Sequence, residues 1–242
     1  MRHFFSIFTR AVAALLLVAG VASAGTITLS TPTGLNPGDK FRFLAVTSGT
    51  TTATTTSINT YNTFVQTDLG DAVYNGGVVN WKAIGSTSVV DARDNVGGFG
   101  SLVPVYKPFT GTKIANDLTT NAGGLWTSSL FAAPNETLSG TIPGSNTRAW
   151  TGTKPDGTKF PTYELGDSDS MYGVVSVSAN QGWIRATVQV STNSYRMYGL
   201  SEELTVPSAV PEIDPAGMGS VMALVTGALG LLERRRLSCL RS

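Results

Sequence analysis

Two apolar runs, one toward each end of the chain, bound what can fold between them. The first follows the basic start "MRHFFSIFTR": it reads "AVAALLLVAGV" over residues 11–21 and leads into Ala22-Ser23-Ala24. A positive start, a short apolar stretch and a small-residue site predict a Sec-type signal peptide over residues 1–24. Cleavage is expected after Ala24, with Ala22 and Ala24 as the recognised positions. The run is short for a permanent span, which needs about 20 apolar residues. The second run carries no charge from Ala216 to Leu232, and Glu233, Arg234, Arg235 and Arg236 follow at once. As a helix rising about 1.5 Å per residue it reaches about 25 Å, enough for a thin bilayer. Arginines beside a span stay on the cytoplasmic side. The expectation is a transmembrane helix over 216–233 and a basic cytoplasmic tail over 234–242, with Arg234, Arg235 and Arg236 as the stop-transfer cluster. Residues 25–206 then form an exported domain.

Charge and side-chain chemistry narrow the function. The formal charge of +1 depends on the arginines near the ends, and only 14% of residues are charged. The middle is near neutral with no basic stripe, which argues against nucleic acid as a partner, because such binding needs many Lys and Arg contacts to phosphate. The only cysteine is Cys239 and the only histidine is His3. An exported domain without either has no internal disulfide, no Ser-His-Asp or Cys-His catalysis and none of the usual zinc ligands. No catalytic residue, cofactor or metal is expected.

The segment ahead of the second run carries a motif. Val210-Pro211-Glu212, the apolar stretch and the arginine cluster succeed one another in that order. This arrangement resembles the PEP-CTERM sorting signal of bacterial surface and exopolysaccharide-associated proteins. The common form reads Pro-Glu-Pro, whereas here Pro211-Glu212-Ile213-Asp214-Pro215 displaces the second proline. The resemblance implies recognition by an exosortase, a membrane-embedded transpeptidase-like protease, which cuts near Pro211-Glu212 and passes the protein to the cell surface or extracellular matrix. Val210, Pro211 and Glu212 are then substrate positions within a linker over 207–215.

Within 25–206, "KFRFLAVTSG" has strand composition, with Phe41, Phe43 and Ala45 on one face and Leu44 and Val46 on the other. The Thr-rich run "TSGTTTATTTS" reads as a solvated loop, with O-linked glycosylation as the sharper alternative. Ile58, Tyr61, Phe64, Val65 and Leu69 recur at helical spacing, and Ser57 or Asn59 is placed to cap that helix. A turn at Gly76-Gly77 leads to a strand around Trp81 and another around Val89. Pro155-Asp156-Gly157-Thr158 reads as a turn between short strands, and Tyr195–Leu200 opens a closing strand. Trp81, Trp126, Trp150 and Trp183 are expected as core anchors; an aromatic sugar platform is the alternative. The fold class is α+β, a single β-rich domain.

The order of early strand, helix, Trp81 strand, Trp150-Thr151-Gly152-Thr153, Trp183 and closing strand is similar to bacterial endostatin and C-type-lectin-like domains. That resemblance implies a sugar-binding fold in which calcium assists. The carry-over is incomplete: Ala133 stands where a carboxylate precedes Pro134-Asn135-Glu136, and no Trp-Asn-Asp follows. Asp167-Ser168-Asp169 lacks the Gly and terminal Glu of an EF-hand loop and reads as a solvated acidic loop. Asn135-Glu136-Thr137 matches a glycosylation pattern by chance. The functional expectation is a non-enzymatic surface or matrix protein, with the membrane and an exosortase as partners and extracellular polysaccharide as a further one. The alternatives are a lectin-like carbohydrate-binding module and a glycosidase using Glu164 with Asp167 or Asp169.

Overall fold

A computed structural model describes residues 25–208 apart from Ala179. The expected signal peptide with Ala22 and Ala24, the motif Val210-Pro211-Glu212, the membrane helix over 216–233 and the arginine cluster lie outside the described residues. Among the described residues no helix is long and apolar enough to cross a membrane. In chain order the elements are β1 (Ile27–Thr28), β2 (Lys40–Val46), α1 (Ile58–Leu69), β3 (Ala72–Tyr74), β4 (Gly77–Val78), β5 (Trp81–Ala83), α2 (Ala92–Val96), β6 (Val105–Tyr106), β7 (Lys113–Ala115), β8 (Arg148–Trp150), β9 (Asp169–Val174), a 3-10 turn (Gln181–Trp183), β10 (Thr187–Val190), β11 (Arg196–Ser201) and β12 (Leu204–Thr205). The fold is β-rich with few helices.

Strand β2 is apolar on both faces, and such a strand belongs in the middle of a sheet. Phe41, Phe43 and Ala45 enter one core with Tyr61, Val65, Leu69, Trp81 and Trp150. Leu44 and Val46 enter a second core with Ile114, Leu118, Trp126 and Trp183. Along one edge β2 pairs antiparallel with β11, Tyr198 opposite Val46 and Leu200 opposite Leu44. Strand β12 continues on the same edge, with Leu204 opposite Phe41. The stretch from Leu200 to Leu204 is one residue longer than that from Phe41 to Leu44, so the chain bulges between β11 and β12. The Ser201 hydroxyl fills the gap by accepting the Phe43 N–H at 2.8 Å. Buried Arg42 donates to the Ser201 carbonyl at 3.1 Å and the Val96 carbonyl at 3.2 Å. On its other edge β2 runs parallel to β6, with Arg42 opposite Val105. Strand β8 runs parallel to β11 and leads outward to β9 and β10. A smaller sheet joins β1, β3 and β4.

Helix α1 forms where the spacing of apolar residues places it. Tyr61, Val65 and Leu69 are buried, and Ile58 and Phe64 pack half-buried against the same core. Ser57 occupies the N-cap position, yet its side chain caps nothing. The approach is held instead by Tyr61, whose hydroxyl donates to the Thr55 carbonyl at 2.9 Å. The helix lies close on β11 because position 199 is glycine. A Cβ there would sit 2.5 Å from Leu69 Cδ1 and 2.8 Å from Val65 Cγ1.

The same helix covers an open strand edge. Beyond β11, β5 has no second strand partner among the described residues, and Trp81 and Ala83 present their N–H groups outward. Gln66 Oε1 accepts the Trp81 N–H at 2.7 Å, and Asn62 Oδ1 accepts the Ala83 N–H at 2.9 Å. Four residues along a helix advance about 6 Å, and two along a strand about 6.6 Å. The two repeats match, so amides one helical turn apart take the place of a neighbouring strand.

Two expectations need correction. No strand forms around Val89, which is 79% exposed. The chain turns there, Thr87 N–H donating to the Val90 carbonyl at 2.9 Å, and α2 begins at once. Two adjacent valines without alternation have only one side to bury, so the turn wins. The Thr-rich run is also not a free solvated loop. Thr51 and Tyr195 exchange backbone hydrogen bonds at 2.8 and 3.0 Å, Ala53 donates to the Ser191 carbonyl at 2.8 Å, and Gly166 donates to the Ala53 carbonyl at 2.8 Å. Ala53 is fully buried. Its backbone is satisfied by tertiary partners while the side chains of Thr54 and Thr56 face solvent.

Replacing Gly199 by Ala should destabilise the fold by about 1–3 kcal/mol, because Leu69 and Val65 must yield to the added methyl. Chemical denaturation of the variant beside Gly77→Ala, where the added carbon meets nothing nearer than 3.7 Å, checks this. Equal stability of the two variants contradicts the close helix approach.

Candidate functional site

The four tryptophans are 2%, 1%, 0% and 0% exposed at Trp81, Trp126, Trp150 and Trp183. They anchor the two cores, and no open aromatic platform is built from them. Only Trp150 has an indole hydrogen bond, to the Thr51 carbonyl at 3.1 Å.

The carboxylates singled out in the sequence meet at one loop. Glu164 is 8% exposed, and its backbone N–H donates to Asp167 Oδ2 at 3.1 Å. Burial, then the hydrogen bond shared with the Asp167 carboxyl, raises Glu164 above the ordinary carboxylate range. Carboxyls in direct contact leave no room for a glycosidic bond, which requires about 5–9 Å between them. Asp167 and Asp169 are half-buried rather than freely solvated. Among the described residues, no group of three or more Asp, Glu, His and Cys side chains is placed to hold a metal ion.

The Ala133–Glu136 segment is a strut. The Glu136 carbonyl accepts the Val46 N–H at 2.8 Å, and its buried carboxylate accepts the N–H groups of Phe109 and Thr110 at 3.2 and 3.0 Å. Asn135 Oδ1 accepts Lys107 Nζ at 2.8 Å, and Thr137 is 2% exposed. These side chains hold the 107–110 loop against the end of β2.

Two surface features remain. A groove of about 530 Å³ runs between α1 and β5, lined by Asn62, Thr63, Gln66, Thr67, Asn80 and Lys82 with Trp81 at its floor. Its amides are already engaged with the β5 edge or, at Asn80, with the Glu202 carboxylate at 3.0 Å. The second feature lies where β8 meets β11 beside the Thr-rich run. Arg148 Nη1 donates to the Tyr195 hydroxyl at 2.7 Å. The guanidinium carbon stands 4.8 Å from the centre of the Tyr172 ring and 5.4 Å from that of Tyr195. Tyr195 in turn covers Trp150, with ring centres 4.5 Å apart. The bond to Tyr195 holds the Arg148 guanidinium above even its usual high range. No carboxylate pairs with it: among the described residues the ion pair is Lys40–Glu203 at 2.6 Å.

Sequence reasoning singled out Trp150 and Tyr195 but not Arg148. The alternation Arg148-Ala149-Trp150 places Arg148 on the tryptophan's face, and that is the one signal available. Its partners lie far along the chain. No protein-family model matches this chain, and no curated protein does.

Because Glu164 binds its proton more tightly folded than unfolded, the pair contributes stability below the ordinary carboxylate range. That contribution is lost as pH rises through the raised folded value. Glu164→Gln should therefore gain stability relative to the parent at pH 7 and show no such gain near pH 4. Thermal unfolding of both chains at the two pH values reads this directly; a gain of the same size at both refutes the raised Glu164 carboxyl.

Proposed function

We propose that the chain is a non-enzymatic cell-surface or extracellular-matrix protein, exported through Sec and sorted by an exosortase-type protease. The observation that carries this reading is the order Val210-Pro211-Glu212, charge-free run, Arg234-Arg235-Arg236, with a signal-like segment ending at Ala24 at the opposite end. On this reading residues 216–233 tether the protein until cleavage near Pro211-Glu212, and the arginines keep the tail cytoplasmic. The fold supports it in one respect. The sheet closes before the motif: Val206 donates to the Asp39 carbonyl and accepts the Gly38 N–H, both at 2.9 Å, and Pro207 and Ser208 are exposed. On this reading the cut falls, in sequence, after the last strand of the described residues.

A lectin-like carbohydrate-binding module is the second reading. The resemblance of the central region to endostatin and C-type-lectin-like domains motivates it, and the unpaired Arg148 beside Tyr172 and Tyr195 favours it. A calcium-assisted version has no cluster of ligands in its favour among the described residues.

Changing Arg234, Arg235 and Arg236 to Ser should weaken membrane retention, since each Arg costs about 2.5–3.5 kcal/mol at the bilayer centre and Ser far less. Changing Pro211 and Glu212 to Ala should leave insertion intact and block processing, so that full-length protein accumulates in the membrane. Fractionation with an epitope placed just before Val206 separates the two defects. Release of the Pro211/Glu212 variant at the parent's rate reduces the segment to a plain anchor.

A further inference from the structure

We propose that Arg148, hydrogen-bonded to Tyr195 and lying beside the Tyr172 ring, binds the carboxylate groups of an acidic, uronate-containing polysaccharide. This inference rests on the surface-protein reading and names the ligand for it. Arg148 is partly exposed, and one Nη1 hydrogen bond fixes it at 2.7 Å. The rings of Tyr172 and Tyr195 lie together on one side of it, their centres 4.8 and 5.4 Å from the guanidinium carbon and 5.5 Å from each other. A guanidinium so oriented has lost its rotational freedom before any ligand arrives. Its remaining N–H donors form a planar fork suited to a carboxylate.

The absence of an acidic partner matters here. The groups that act on Arg148 are Tyr195 and Tyr172, with no Asp or Glu among them. Arg185 stacks on Phe160 at 4.7 Å without a comparable hydroxyl anchor, which makes it a matched control. Around Arg148 stand the Tyr195 hydroxyl, the Tyr172 ring and, directly across on β9, Val174. Such a surface offers hydrogen bonds to sugar hydroxyls and ring edges to their C–H groups, whereas an acidic peptide would call for a pocket for its side chains.

The site lies far from the end of the described chain. The described chain closes at Val206, beside Asp39 and the first residue of β2. Arg148 lies at the opposite end, because Arg196, next to Thr47 beyond the last residue of β2, is level with Ala149. The seven residues of β2 separate the two ends by about 20 Å. A polymer with a carboxylate on each repeat compensates a shallow site by rebinding.

The test uses the full chain in detergent, with biotinylated polygalacturonate on a biosensor surface and neutral dextran as the reference. The parent should bind polygalacturonate and ignore dextran, and binding should weaken as salt rises from about 0.05 to 0.5 M. Arg148→Gln should weaken binding about tenfold or more, the loss of one charge-assisted pair, while Arg185→Gln stays within about twofold. Should Arg148→Gln fail to fold, Arg148→Lys decides: it keeps the charge but not the fork, and should bind several-fold more weakly. Absence of polygalacturonate binding by the parent overturns the inference, as do equal losses in the Arg148 and Arg185 variants or parent-like binding by Arg148→Lys. Correct C-terminal processing of a chain that ignores polygalacturonate overturns the ligand alone. Binding by a chain whose processing ignores Pro211 and Glu212 overturns the sorting reading and leaves the site.

Discussion

The pairing of β2 with β11 is the interaction on which the other contacts depend. It joins the first long strand to the last, Tyr198 opposite Val46. Closing so long a loop costs only modestly more than closing a short one, since the entropy grows with the logarithm of length. It must nevertheless be made before the contacts that depend on it give any return. Helix α1 rests on this pair through Gly199, β6 borrows the free edge of β2, and β8 and β5 share the free edge of β11. The bulge at Ser201 and the buried guanidinium of Arg42 lock the register where the two strands would otherwise slide.

Between residues 97 and 147 regular structure is sparse, and the backbone is satisfied loop by loop. Leu118 donates to the Ser101 carbonyl at 2.9 Å, Asn116 to Gly123 at 2.8 Å and Leu125 to Asp117 at 2.8 Å. Threonine hydroxyls tie down the turns between these bonds. Thr119 donates to Asp117 at 2.7 Å, and Thr127 donates to the Ser129 carbonyl at 3.0 Å. This explains a composition rich in small hydroxyl residues and poor in charge. Such side chains reach the backbone over one or two residues, and Asp117 does the same when its carboxylate accepts the Thr119 N–H at 2.9 Å.

What could be read beforehand was whatever repeats at short range. The period of Tyr61, Val65 and Leu69 announced α1, and the two-faced apolar run of β2 announced a central strand. The bulk of four tryptophans announced buried anchors. Features set by distant partners were not legible. The Thr-rich run owes its order to Tyr195, Ser191 and Gly166, and nothing within it hints at them. Arg148 looks like any surface arginine until Tyr172 and Tyr195 arrive beside it. The processing we propose at Val210-Pro211-Glu212 rests on a linear stretch of chain, so whatever information it carries is local by necessity.

The pair Asn62 and Gln66 has a consequence for how copies of the protein behave toward one another. An uncovered strand edge is a template for pairing with the same edge of a second molecule. On β5 that edge is hidden by a helix, and a helix can lift without the sheet coming apart. Self-association through β5 is therefore governed by the local opening of α1 and not by global unfolding. Resistance to self-association along this edge resides in two amide side chains.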